Sequence, residues 1–425
     1  MKKKKASLVR RITEFLRTSV ICGPLDHNLF FTIIFLNVYG IIMVYSASYN
    51  NSITKNYSYF MNNQLKNVIF GFIIMIIASY INYHRIVRFG WGWFWLFLAV
   101  CIIAALKTPL AHSELGATRW IKLGSISFQA AEPIKAAIII FFAYYVSYWG
   151  LNRWYNQVLA CLLAIALLGF LFFFSNNLST VIVLFCICAV IILSSVKKPD
   201  LYWYFLIGLA LVIIAAIGVT VYLLMHQGAE NFRFVRIRAW LHPEEYAADE
   251  GLQAMQARYA IGAGGFWGKG LGQSLIKFKL SYSYNDFILA IICEELGVFG
   301  VIVMMTLFGY LLYRIYKIAQ NAWDIEGKVL AIGVFTQIAL QLLINVMVVT
   351  SVIPTTGVTL PFFSAGGTSV VFLLAELGMV LNVDKYAKER RFFEEAERHV
   401  AQMEQRGGIG AAGWRRRLDS ARTHR

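Results

Sequence analysis

Long apolar runs alternate with short polar connections along this chain. A run of about 20 apolar residues is the length a helix needs to cross a bilayer core. The pattern predicts ten such runs, at 29–48, 67–83, 88–106, 130–149, 156–174, 177–195, 201–225, 285–313, 328–350 and 366–382. Backbone polar groups in lipid must be bonded within their own segment, so each run reads as a helix. The predicted fold class is an all-α polytopic membrane protein. The division inside 156–195 is the thinnest, because only Ser175, Asn176 and Asn177 part its halves. Three units follow: a basic amphipathic segment over 1–25, a ten-helix membrane domain over 26–384, and a basic tail over 385–425. The membrane domain includes an external segment between the seventh and eighth spans, at 226–284.

Composition agrees with that class. Of 425 residues, 59% are hydrophobic and only 15% are charged, against about 25% charged in a soluble domain. The first apolar run starts late, is long and lacks a small-residue cleavage site, which argues against a cleaved signal peptide. All six cysteines sit in or beside apolar runs, so they are expected to pack rather than to form disulfides. The net charge of +16 is read through topology. The basic N-terminus, His84, Arg85, Arg88, Lys197, Lys198, Arg314, Lys317 and the basic tail share one side. The positive-inside rule places that side, and both termini, in the cytoplasm, with anionic lipid as a partner. No soluble domain is available for nucleic acid, which is not expected as a partner.

Acids at or inside a span are rare and default to a functional reading. Asp286, Glu294 and Glu295 open the eighth run. The plainer reading of Asp286 is that it caps the following helix. The external segment carries Arg233, Arg236, Arg238, Arg258, Lys269, Lys277 and Lys279. This surface suits an anionic headgroup such as a diphosphate, or else is a solvated loop that crossed regardless of its charge. Within it, Ile261–Ser274 is dense in glycine but is not a phosphate loop. Ala263 stands where that motif needs Gly, and Gly270 where it needs Ser or Thr. Its glycines are expected to serve tight turns and close backbone approach, with an anion nest as the alternative.

Two further segments stand out. Glu132 and Lys135 are spaced to pair on one helix face at the membrane entrance, as a structural ion pair or as functional charges. Pro133 fits a first-turn position there. Between Asn345 and Ser369 lie two prolines and three glycines. Irregular backbone at that depth is tolerated when buried or lining a wet cavity; a surface turn is the alternative. Gln341 and Asn345 share a helix face and are expected to bond between helices.

Four ordered segments carry a family resemblance: ATRWIKLGSISFQAAEPIK, GLQAMQARYAIGAGGFWGKGLGQS, NDFILAIICEELG and PTTGVTLPFFSAGGTS. They resemble the shape, elongation, division and sporulation family of FtsW, RodA and SpoVE, as does the first span from Asp26 to Ser48, and the likeness covers about 26–384. It implies a peptidoglycan glycosyltransferase that polymerises lipid II at the outer face of a bacterial cytoplasmic membrane. It also implies a class B penicillin-binding protein, a transpeptidase, and other division membrane proteins as partners. By the same resemblance Asp286 is the essential acid. The family's motif residues fall on Arg119, Trp120, Gln129, Glu132, Lys135, Leu360, Pro361, Phe362, Ser364, Gly366 and Gly367. The chain departs from the pattern at Ala130 and Ala131, at Asn176–Ser179 and at Ala365.

The chemistry suits these residues. Glycan transfer needs a base for an acceptor hydroxyl, a role open to Asp286. Departing diphosphate needs positive charge, from the basic residues or from a divalent cation, magnesium or manganese. The substrate-binding candidates are Arg119, Trp120, Lys122, Gln129, Glu132, Lys135, Arg233, Arg236, Arg238, Lys269, Ser364, Gly366 and Gly367. Two alternatives remain open at this point: a lipid II flippase using Glu132, Lys135 and Glu294 as a path, and an elongation or sporulation member of the same family.

Overall fold

The computed structural model describes residues 25–48, 59–109, 111–114, 117–123, 126–175, 177–196, 232–245, 250–278, 285–364 and 367–405. The seventh predicted span, 201–225, lies outside the described residues, as do 1–24 and 406–425.

The chain is mostly helical, as the apolar pattern requires. The helices are α1 (His27–Ser48), α2 (Tyr59–Tyr80), α3 (Tyr83–Val87), α4 (Trp93–Ala105), α5 (Ala131–Trp149), α6 (Trp154–Ser175) and α7 (Leu178–Ser195). They continue with α8 (Phe232–Leu241), α9 (Glu250–Gly264), α10 (Ile288–Asn321), α11 (Ile325–Val349) and α12 (Thr368–Gln405). Among the described residues, α1, α2, α6, α7, α10 and α11 are long and apolar enough to cross a membrane.

Local chemistry sets the boundaries. Asn177 separates α6 from α7 by capping the latter, its side chain accepting from the Thr180 N–H at 3.4 Å. Asp26 and Asp324 begin α1 and α11 in the same way, through Leu29 N at 3.1 Å and Gly327 N at 2.8 Å. The second predicted span starts early, at Tyr59, because its polar first turns are used: Gln64 is buried and reaches the carbonyls of Phe362 and Ser364. The third is shorter than predicted. Gly90, Trp91 and Gly92 all have positive φ and break the run before α4. The tenth continues without interruption to Gln405, well past the apolar stretch.

Two features departed from the pattern. Ala111–Glu114, Ala117–Leu123 and Ile126–Gln129 form an antiparallel three-stranded sheet, β1-β2-β3, ahead of α5. The external segment is also organised, holding α8, α9 and a glycine-rich return.

The bundle has two polar ends. Asp286 precedes α10 and Asp324 follows it, so the whole of this long helix lies between them. At the Asp324 end a closed network ties α3 to α11 and α12. His84 lies between Asp324, at 3.1 Å, and Glu326, and Arg88 Nε donates to Glu326 at 2.9 Å. That hydrogen bond raises the Arg88 pKa above its ordinary value. Tyr83 donates its hydroxyl to Asp324 at 2.8 Å, and its backbone N–H to Asn382 at 2.9 Å. Burial, reinforced by Asp324, pushes the Tyr83 hydroxyl far above its usual range. Arg314 and Asp26 join α10 to the start of α1 at the same end.

Candidate active site

The opposite end is built around a short turn, 285–287, ahead of α10. The helix cap position falls on Phe287 rather than Asp286. Two side chains hold the turn by its backbone. Asn345, fully buried on α11, donates from Nδ2 to the carbonyls of Asp286 and Val358, both at 2.9 Å. Ser364 donates from Oγ to the Asn285 carbonyl at 2.7 Å and accepts from Leu360 N at 2.7 Å. The segment Leu360–Ser364 therefore braces the turn as well as itself. Its backbone is strained: Phe362 is buried with φ +66, a conformation bulky side chains rarely adopt. A Cβ on Gly40 would lie 2.3 Å from the Phe362 carbonyl, so α1 can approach this turn only with glycine there.

A cavity of about 30 Å³ lies between α5, α7, α11 and the 357–359 segment, lined by Gln129, Glu132, Lys135, Gln341 and Thr359 among others. A second, of about 20 Å³, is lined by Glu132, Gln341, Leu360 and Ser364. Glu132 and Lys135 pair at 2.8 Å with both side chains buried. Close by, Gln337 donates to the buried Glu376 at 2.9 Å. Ser364 thus links the cavity wall to the turn carrying Asp286.

The other candidates divide. Gln129 accepts from Ser369 at 3.3 Å and pairs in register with Trp120 across β2–β3. Lys122 is exposed on β2, opposite Ser127. Arg119 lies on β2 and Arg233 on α8, but their side chains are outside those described, and Gly366 is outside the described residues altogether. Gly367 precedes α12 with φ +54. Arg236 and Arg238 are half-buried on α8, which is fastened beside the site by Trp240 Nε1 donating to the Ser351 carbonyl at 2.9 Å.

Lys269 belongs to a different structure, a clamp around the bend in α10. Glu294 accepts from Lys269 Nζ at 2.8 Å, from Leu275 N at 3.2 Å, from Ile276 N at 3.4 Å and from the Ser274 hydroxyl. Glu295 accepts from Ser46 Oγ at 2.5 Å and Ser274 N at 3.3 Å, with Lys277 Nζ 3.8 Å away. The helix bends at Gly297, φ +65. Backbone bonds from Lys269 and Gly270 to the Glu294 and Glu295 carbonyls, both 2.9 Å, close the clamp. A Cβ on Gly268 would lie 2.2 Å from the Glu295 carbonyl, so the glycines serve close approach. The anions this loop cradles are internal ones.

Sequence reasoning missed both the clamp and the backbone role of Asn345. For Asn345 the signal was an amide on the same face as Gln341 in an apolar span; for the clamp, paired acids followed by Leu–Gly.

Comparison with known proteins places the chain in a family. A family model described as a cell cycle protein, for FtsW, RodA and SpoVE, matches residues 26–389. The chain is 33% identical to a probable peptidoglycan glycosyltransferase FtsW of Trichlorobacter lovleyi, over 87% of this chain and 96% of the relative. It is also 33% identical to the stage V sporulation protein E of Bacillus subtilis, over 84% and 96%. Among solved structures, a chain of a peptidoglycan synthase complex coordinating polymerization and crosslinking superposes with a TM-score of 0.71 at 22% identity, covering 86% of this chain and 98% of that one. The rod shape determining protein RodA of Thermus thermophilus superposes at 0.61 and 21%, covering 85% and 97%.

Proposed function

The chain belongs to the FtsW, RodA and SpoVE family, and from that premise we propose that it is a peptidoglycan glycosyltransferase polymerising lipid II. The observation that carries the reading is the turn bearing Asp286, gripped by Asn345 and by Ser364, which also lines the cavity that Glu132 faces. Such a grip fixes an acid where an acceptor sugar hydroxyl can meet it, as general base catalysis requires. A single displacement at the anomeric carbon inverts it and needs no protein nucleophile. Lys135, Arg236 and Arg238 supply positive charge for the departing diphosphate.

The donors at the turn also suit a magnesium or manganese ion. The Asn285 Oδ1 is buried with no partner among the described residues, and like the carboxylate of the next residue, Asp286, it is a hard oxygen donor of the kind these ions prefer. Bound there, the cation would neutralise charge on the diphosphate.

The enzyme acts at the outer face of the bacterial cytoplasmic membrane in division, with a class B penicillin-binding protein as transpeptidase partner. That pairing is supported by the fold shared with a chain of a peptidoglycan synthase complex. The flippase alternative loses a support, because Glu294 is enclosed in the clamp rather than lining a path.

The test is polymerisation of labelled lipid II by purified protein. Wild type should yield glycan strands, and Asp286→Ala should yield none while purifying as a folded protein. Near-normal polymer from that variant would overturn the assignment, and movement of lipid II between leaflets without polymer would favour the flippase.

A further inference from the structure

We infer that Asn345 is a positioning residue for catalysis, fixing the Asp286 turn through the backbone. This rests on the reading of Asp286 as the catalytic acid. Asn345 is 0% exposed on α11, and both hydrogens of its amide are committed, one to the Asp286 carbonyl and one to the Val358 carbonyl, each at 2.9 Å. Two carbonyl acceptors fix the amide's orientation, because only the NH₂ end can donate to both. The opposite end shows what that arrangement costs: Asn345 Oδ1 is buried with no partner among the described residues. A buried amide that leaves its acceptor unpaired is expensive. A side chain selected only to fill space between helices would be apolar and incur no such penalty.

The two carbonyls belong to segments that lie far apart in the chain. One is the turn entering α10; the other is the irregular stretch that leads into Leu360–Ser364. Asn345 therefore locks the acid to the strained segment that Ser364 also joins, through Asn285. The clasp touches the main chain, so it sets where the Asp286 carboxylate stands without contacting substrate. Precise placement of a reacting group is worth much in rate, and a shift of about 1 Å can cost roughly 100-fold.

The discriminating variant is Asn345→Leu, which keeps the volume and removes both donors. We expect turnover on lipid II to fall roughly 100-fold, with KM for lipid II and the thermal midpoint in detergent unchanged. A space-filling role predicts the reverse, full turnover in a bundle at least as stable. If Asn345→Leu fails to fold, Asn345→Ser carries the test, since its hydroxyl can still donate to one carbonyl. Its turnover should then fall between wild type and Asp286→Ala, with KM held. Retained turnover in either variant overturns the inference, as does a rise in KM with turnover intact, which would make Asn345 a substrate contact. An active Asp286→Ala protein would instead overturn the catalytic reading on which the inference stands.

Discussion

Glu294 and Glu132 are both carboxylates buried within the bundle, 0% and 4% exposed, yet their surroundings differ. Glu294 accepts from a lysine, a serine hydroxyl and two backbone N–H groups, all from the segment that folds back over α10. Glu132 pairs with Lys135 alone among the described residues and lines two cavities. The pairing answers the cost of burying charge in both places. Only at Glu132 is there room for something else. Charge inside a membrane domain is therefore a poor guide to function by itself. What separates a structural acid from a working one is whether its bonds are completed by the chain or left facing a cavity.

The largest effect should come from breaking the closed region. Glu294→Ala leaves Lys269, Ser274 and two N–H groups without their acceptor at the bend of α10. Removing one partner of a buried ion pair costs on the order of 3–5 kcal/mol. The variant is expected to express poorly, with a clearly lowered thermal midpoint, and to lose activity only in proportion to folded protein. A stable but inactive Glu294→Ala protein would erase the distinction from Glu132.

The open region should behave the other way. Glu132→Ala and Lys135→Ala should each reduce polymerisation more than they reduce stability. Side chains in contact typically couple by about 0.5–3 kcal/mol, so the double variant should lose less activity than the sum of the two losses. Additive losses with unchanged lipid II binding would make the pair two separate supports of α5.

How far the sequence foretells each region follows from the range of its interactions. Span existence depends on local apolarity, so α1, α5, α6, α7 and α11 lie close to the predicted limits. The sheet β1-β2-β3 does not, because its strands of four to seven residues are too short for a period to show. The polar start of α2 is likewise invisible to hydropathy; Gln64 is buried by bonds to residues nearly 300 positions away. In the site, Asp286, Glu132 and Lys135 are legible as charges out of place in apolar surroundings. The grip on Asp286 is not, since it joins a side chain to a carbonyl 59 residues distant. Nor is the clamp, for Glu295 meets Ser46 across 249 residues.

The smallest effect should come from the basic residues of the external segment, and here the structure separates candidates that the sequence groups together. Lys269 is bonded to Glu294 and is part of the clamp. Arg236 and Arg238 lie on α8, which Trp240 fastens to the loop beside the site. Their contribution to binding a diphosphate should be electrostatic and partly exposed. Such contacts are worth about 0.2–1 kcal/mol each and weaken as salt screens them. Arg236→Ala and Arg238→Ala together should therefore weaken lipid II binding modestly at low salt and hardly at all at high salt, leaving the thermal midpoint alone. Lys269→Ala should do the opposite: lower the midpoint and leave the salt dependence of binding as in wild type. Titrating lipid II at two ionic strengths, with a melting curve for each variant, reads both. If Lys269→Ala flattens the salt dependence and keeps its midpoint, the clamp also belongs to the binding surface, and the boundary between closed and open regions must move to include it.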